Sequence, residues 1–294
     1  MTESTKTYDV AVLGCGLMGA ALARNFAAQG LTTAAWNRSP EKAEALASNG
    51  VTPVRDIADA VRDARLVVAC TSTYDTTRES LAGVTEWGGT TLVNIGTGTP
   101  SQAEEMQAWA TERGARYLDG AILCYPQQVG TEEGMILYSG SPEAWAEHEQ
   151  ALMTPGPYSA LVSDNIKAAS VLDAAVVGGF YSAALNAYVE AVTYAFSQGI
   201  DAETLNAISE MTFQVIAATG KECVAAIVND QHETDSAYLG VYAEGCRATL
   251  GVMQEAGFKA RLLEAAVKNL GEAEEAGLGG LGFSALTKVT RTNA

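Results

Sequence analysis

Histidine is almost missing from this chain. Only His148 and His232 occur among 294 residues, each between polar neighbours (AEHEQ and DQHETD) that read as solvated surface. An imidazole acid or base is therefore set aside. Basic residues are scarce as well: 18 Lys and Arg against 35 Asp and Glu leave a net charge of -17. Contacts to phosphate backbones or anionic lipid need clustered cations, so neither nucleic acid nor membrane is expected as a partner. The five cysteines (Cys15, Cys70, Cys124, Cys223, Cys246) have no CxxC spacing. That excludes a disulfide framework and a zinc site, and no metal is expected; the thiols read as reduced and mostly buried. The opening MTESTKTYD is polar, with no leading apolar stretch, which gives the expectation of a cytoplasmic protein without a signal peptide.

What is present begins with glycine. Tyr8 to Leu13 (YDVAVL) is a short, nearly continuous apolar run, as expected of a strand buried on both faces of a parallel sheet. It leads into Gly14-Cys15-Gly16-Leu17-Met18-Gly19. Gly14 and Gly16 allow a tight turn with close backbone approach to a pyrophosphate, and Gly19 lets the next helix pack on the strand. That helix, starting near Leu17, turns its unpaired amides and positive dipole end toward phosphate. A second strand-like run, Leu31 to Trp36, completes a βαβ unit. At its end, where NAD-binding proteins place an acid for the ribose hydroxyls, stand Asn37, Arg38 and Ser39. An acid would repel a 2′-phosphate, whereas Arg38 can fork onto its oxygens and Ser39 can donate a hydroxyl. The turn selects NADPH over NADH. Ser39-Pro40 reads equally as a helix N-cap followed by Pro at the first helical position, and both roles fit one corner.

At 294 residues and 48% hydrophobic content the chain suits two cores. Strand-like runs recur at residues 65–71, 91–95, 116–118 and 135–139, separated by helical segments. This alternation predicts an α/β fold with an N-terminal Rossmann domain, a doubly wound parallel sheet, over residues 1–165. Its sheet edge would bring Thr71, Ser72 and Asn94 to the cofactor. From 166 to 197 the chain reads as one long interdomain helix, about 45 Å at ~1.5 Å per residue, too apolar all round for a small domain to bury. Its apolar part, Ala168 to Ser197, would span a membrane by length, but Asp173, Asn186 and Glu190 interrupt it and it holds no basic residue. Residues 198–294 read as an all-α C-terminal dimerisation domain, with helices at 202–219, 236–257 and 259–276 and a Gly-rich tail (GLGGLG) read as a flexible connection.

The long helix holds the candidate chemistry. Asp173 lies among Val171, Leu172, Ala174 and Ala175, where a carboxylate needs a partner or a shifted pKa. Tyr181 lies eight residues on, which in an α-helix means about 80° of drift and ~12 Å of rise. The two can face one cleft without touching the same atom. Tyr181 also reads as a core tyrosine with its hydroxyl tied to backbone. Leu123, Cys124 and Tyr125 in one loop, Met211 and Gln214 on a later helix, and Tyr242 are candidate pocket lining, though Met211 and the neighbouring Phe213 fit core spacing as well.

The chain is similar to the β-hydroxyacid dehydrogenases in its Gly14 to Gly19 fingerprint, domain size and long helix, but two hallmarks of that family are missing. The substrate-carboxylate Ser-Gly-Gly is replaced by Asp119-Gly-Ala-Ile-Leu-Cys-Tyr-Pro126. In place of the catalytic GxGxxxKxxxN, Lys167 has no Asn four residues on. These departures resemble the imine reductases and reductive aminases, a branch of the same superfamily. Shared with them are Asn37-Arg38-Ser39, Val93-Asn94 with Gly98-Thr99-Pro100, Asp119-Gly120-Ala121-Ile122 with Pro126, Tyr138 to Ser141, and Leu172-Asp173 followed by Tyr181. Tyr242 and Glu244 depart from the His-rich helix of many relatives. The resemblance implies hydride transfer from NADPH to an imine, or to the iminium of a ketone plus an amine, with Tyr181 donating a proton or orienting the nitrogen. It also implies a homodimer interlocked through the long helix. The alternatives are reduction of a small carbonyl compound with Lys167 as proton source, and an NADP-binding protein without catalysis.

Overall fold

A computed structural model describes residues 7–291, so the polar N-terminus read above, 1–6, lies outside the described residues. The chain divides between Phe180 and Tyr181 into two compact units.

The first unit runs β1 (Tyr8–Leu13), α1 (Leu17–Ala28), β2 (Thr33–Trp36), α2 (Pro40–Glu44), β3 (Val51–Pro53), α3 (Ile57–Asp63), β4 (Ala64–Ala69) and α4 (Tyr74–Leu81). It continues with β5 (Thr91–Asn94), α5 (Pro100–Glu112), β6 (Arg116–Ile122), β7 (Ile136–Gly140), α6 (Pro142–Leu152), β8 (Ala160–Ser163) and α7 (Ala168–Leu172). The eight strands form one sheet in the order β3-β2-β1-β4-β5-β6-β7-β8. β1 pairs in parallel with both β2 and β4, Val10 opposing Thr33 on one side and Leu66 on the other. Because successive side chains alternate faces, Val10 and Val12 join Leu22, Phe26, Leu118 and Tyr138 in one core layer. Ala11 and Leu13 join Val67, Leu92, Met106 and Tyr117 in the other. Burial on both faces is why β1 reads as a continuous apolar run.

The structure corrects several expectations. β7 runs antiparallel to β6, so the sheet is mostly rather than wholly parallel; β7 enters from a loop instead of a crossover helix. β3 and β8, at three and four residues, escape the apolar pattern because edge strands that short carry almost no period. Both histidines are buried, not solvated. His148 lies on the inward face of α6 with Nε2 3.0 Å from Thr91 Oγ1, and burial lowers its pKa. His232 Nδ1 lies 2.9 Å from Ser284 Oγ, and its Nε2 3.2 Å from Asp230 Oδ1. Of the cysteines only Cys15 is fully buried; the other four are half-buried.

The stretch read as one α-helix is broken in character. Between α7 and α8 (Ser182–Ser197), residues Asp173–Tyr181 form a π-helix, whose i→i+5 bonds widen the coil. The α-helical spacing of Asp173 and Tyr181 assumed above does not apply. The second unit goes on with α9 (Ala202–Asn229), α10 (Leu239–Glu255) and α11 (Arg261–Glu275), helices close to the expected ones but with α9 ten residues longer than read. Its small core gathers Leu239, Ala243, Leu270, Ala273 and Ala285. The Gly-rich tail is no flexible connection: Leu278 and Leu281 pack on that core, and Leu239 N donates to Leu281 O at 2.8 Å.

Candidate functional site

The three fingerprint glycines do different work. Gly14 has φ +97°, and a Cβ there would lie 2.4 Å from the Cys70 carbonyl oxygen. A Cβ on Gly19 would lie 1.8 Å from the Gly14 carbonyl oxygen, so these two are demanded by packing of α1 against the strands. A Cβ on Gly16 would meet nothing within 4 Å. Gly16 is also the N-cap of α1, with no side chain capping the helix. Its first amides and the positive dipole end thus face an open cradle, as a pyrophosphate requires. Leu17 is 84% exposed beside that cradle, whereas Met18 turns back onto the core.

Asn37 holds the loop from the second strand. Its Oδ1 accepts from Cys15 N at 2.8 Å and its Nδ2 donates to Ser39 O at 3.0 Å, so its amide is spent on shaping the turn. Arg38 is exposed. Ser39 stands at the N-cap of α2 with Pro40 after it, yet its hydroxyl makes no capping bond. Of the two roles read for that hydroxyl, phosphate binding is the one the geometry leaves open. Lys42, one turn on, is exposed and its charge reaches the Cys15 thiol. These groups fit a dinucleotide carrying a 2′-phosphate.

Thr71, Ser72 and Asn94 separate. Ser72 is exposed at the sheet edge. Thr71 Oγ1 donates to Thr73 O (3.0 Å) and lies 2.7 Å from Thr77 Oγ1. Thr77 Oγ1 in turn donates to Asn94 Oδ1 at 2.9 Å. Asn94 is fully buried, at the head of a polar row rather than on an open surface. Beside it, on the next strand, is a feature the sequence pattern did not single out. Asp119 is 0% exposed, and its Oδ1 accepts from the hydroxyls of Tyr74 (2.5 Å) and Tyr117 (2.9 Å). Desolvation, with a smaller push from the Asp173 carboxylate, raises its pKa to about 7 despite those two donors. The available signal was an Asp inside a run of buried strand residues, YLDGA.

Asp173 is half-buried at the start of the π-helix, and burial raises its pKa. Tyr181, 45% exposed, closes the same π-helix. A Cβ on Gly178 or Gly179 would meet the carbonyl oxygens of Asp173 (3.8 Å) or Ala174 (3.3 Å), five residues back, so the glycine pair eases the wide turn. Leu123 and Cys124 are half-buried and Tyr125 is largely exposed, in the loop after β6. On the second unit, Met211 and Gln214 are exposed three residues apart on α9, and Tyr242 packs edge-on against Phe283 at 5.1 Å. Met211 and Gln214 are thus on a surface, not in that unit's core. Lys167 Nζ lies 2.9 Å from Glu104 Oε1.

A nucleotide cradle at a sheet edge, joined through a carboxylate-bearing helix to an all-helical unit, defines a nicotinamide-dependent oxidoreductase. Residues 9–163 match the NAD binding domain of 6-phosphogluconate dehydrogenase, and residues 165–292 match the C-terminal domain of NADPH-dependent reductive aminase-like proteins. The chain belongs to the imine reductase and reductive aminase family. It is 28% identical over 283 residues to the NADPH-dependent reductive aminase of Aspergillus oryzae, across 94% of this chain and 95% of that protein. Among solved structures, an imine reductase from Pseudomonas sp. superposes with a TM-score of 0.90 at 27% identity, covering 96% of this chain and 99% of that one. The Aspergillus terreus reductive aminase in complex with NADPH and ethyl levulinate does so with a TM-score of 0.90 at 26% identity, covering 97% and 100%.

Proposed function

We propose that this protein reduces an imine, or the iminium formed from a ketone and an amine, to the amine, using NADPH, as a homodimer in the cytoplasm. One observation carries the reading: an open Gly16 cradle and an acid-free Arg38-Ser39 turn stand upstream of a helix that presents Asp173 and Tyr181. Arg38 and Ser39 hold the 2′-phosphate and the α1 amides hold the pyrophosphate. Bound NADPH supplies hydride to the iminium carbon. The Asp173 carboxylate, poorly solvated, favours a cationic substrate, and Tyr181 donates its hydroxyl proton to the amine nitrogen or orients it. Leu123, Cys124 and Tyr125 in the first unit, and separately Met211, Gln214 and Tyr242 in the second, are the proposed substrate-contacting residues. Reduction of a small carbonyl through Lys167 is disfavoured by that ammonium's ion pair with Glu104.

The homodimer is supported by what the single chain leaves exposed. Ala168–Ser197 and Ala202–Asn229 are long and apolar enough to cross a membrane, yet almost none of their residues are fully buried. Acids on both helices, and the pairing of Lys167 at the start of the first with Glu104, favour a second copy of the chain as the cover. One assay separates the functional readings: NADPH consumption with a small cyclic imine, with a 2-ketoacid or semialdehyde, and with neither. Turnover of the ketoacid alone would replace this proposal with the carbonyl reading, and turnover of nothing would leave a cofactor-binding protein.

A further inference from the structure

The buried polar row ends on a carboxyl, Asp119, that has no cation paired with it among the described residues. Asp119 sits on β6 directly opposite Asn94 of β5 in the parallel register. Tyr74 reaches it from α4 and Tyr117 from its own strand, both donating to Oδ1. Its second oxygen, Oδ2, is buried and makes no hydrogen bond among the described residues. Such an atom is costly to leave unpaired, more so if charged, and is kept only where something else requires it. The fold has built room for the cluster: a Cβ on Gly98 would strike the Tyr74 ring at 2.2 Å, and one on Gly120 would strike Ile95 at 2.6 Å.

The titratable groups acting on Asp119 are Tyr74, Tyr117 and Asp173. From β7 its partner in register is Ser139, whose hydroxyl donates to Ile166 O. Glu104 on α5 pairs with Lys167 at the start of α7, and Arg78 on α4 pairs with Asp75 and with Glu105, all at the surface. Two carboxylates, Asp119 and Asp173, therefore share one field with no cation between them among the described residues. In such a pair the second ionisation is held back by the first.

We propose that Asp119 is a positioning residue for imine reduction, a buried counter-charge whose ionisation adds a second negative charge behind Asp173 and so sets how strongly the site prefers a cationic substrate over a neutral one. This rests on the functional reading above. Below neutral pH the Asp119 carboxyl keeps its proton; above it that proton passes to solvent, and Tyr74 and Tyr117 hold the resulting anion through Oδ1.

The test uses a permanently charged cyclic iminium, an N-methyl-3,4-dihydroisoquinolinium, which cannot titrate itself. With the full-length NADPH-saturated protein, kcat/KM should rise about fivefold as pH passes through an inflection near 7, the value to which Asp119 is shifted. Asp119→Asn, which keeps an acceptor for both tyrosines, should give a flat profile through this range. Tyr74→Phe removes a hydrogen bond that favours the anion, so the inflection should move to higher pH. A second readout needs no turnover. Infrared difference spectra of wild type against Asp119→Asn should show a protonated-carboxyl C=O stretch that disappears across neutrality. An Asp119→Asn enzyme that retains the inflection, an unmoved inflection in Tyr74→Phe, or the absence of that band would overturn the proposal. If the band titrates while no iminium is reduced at any pH, Asp119 is the proton-holding group and the functional reading is what fails.

Discussion

Strand β1 and helix α9 are both apolar, and the chain treats them oppositely. From Val10 to Leu13 no residue of β1 is more than 1% exposed, whereas on α9 Val215 and Val224 are 64% exposed and Val228 is 78% exposed. The sheet supplies its own cover, since helices of the first unit close both faces of β1. The second unit holds five fully buried core residues among α10, α11 and the tail, while α9 keeps only Ser209 buried along 28 residues. An apolar face of that size in water favours association at about 25 cal/mol per Å² buried. The contrast teaches that the first unit closes its own core around the nucleotide cradle, whereas α9 is left as the face that, in the homodimer we propose, a second copy covers.

The comparison is broken most completely by a charge on α9. Val224→Lys should abolish assembly, and with it all measurable turnover, while leaving the first unit folded. Light scattering should give twice the 30.6 kDa chain mass for wild type and that mass once for the variant. A wild-type protein of single-chain mass with full activity would refute the homodimer.

Next in size is the loss of the hydroxyl at the end of the π-helix. Tyr181→Phe should lower turnover on a saturating cyclic imine by ~10²-fold, the lower end for a lost general acid because water can supply the proton. NADPH binding, measured by cofactor fluorescence, should not change. Wild-type turnover in this variant would make Tyr181 a packing residue and leave Asp173 as the remaining candidate.

A smaller effect tests the self-contained unit alone. NADPH should bind more than about tenfold more tightly than NADH, since a charge-assisted hydrogen bond contributes ~1.5–3 kcal/mol. Arg38→Ala should erase most of that preference by weakening NADPH and not NADH. Equal affinities for the two cofactors in wild type would remove the role given to the Asn37-Arg38-Ser39 turn.

What could be read from the sequence follows the same divide. The βαβ start, its glycines and the missing acid were legible because they are set by chain neighbours: a β-branched run, a turn, a capping position. The packing role of Gly19 was legible too, but that of Gly14 was not, because it is set by the Cys70 carbonyl on another strand's end. Asn37 reads only as a neutral residue of the cofactor turn; that it also ties the loop to Cys15, a bond across 22 residues, was not legible. His148 was misplaced because its polar neighbours describe α6's outer face, while the ring itself meets Thr91, 57 residues away. The π-helix escaped since an all-apolar stretch has no polar stripe to fix its period. Gly178 and Gly179, side by side in a helix, were the sign available. Asp119 was quoted within a motif, but its two tyrosine donors come from different elements and no local pattern joins them.

The finest division lies within the fingerprint itself, where glycines three residues apart should behave differently. Gly19→Ala places a methyl group against the Gly14 carbonyl, backbone that cannot move without displacing α1, so the first unit should lose its cooperative melting transition. Gly16→Ala adds the same methyl group to open space at φ -68°, ψ -171°, a conformation alanine adopts freely. Its cost should stay within about 1 kcal/mol, a shift of only ~2–4 °C in melting temperature. What the methyl does take is the room for close approach of a pyrophosphate, so NADPH should bind about tenfold more weakly to a protein of nearly unchanged stability. Calorimetry of the two variants with and without NADPH separates fold from function at adjacent glycines. If Gly16→Ala kept wild-type cofactor affinity, the open cradle would be a feature of the turn and not the pyrophosphate site.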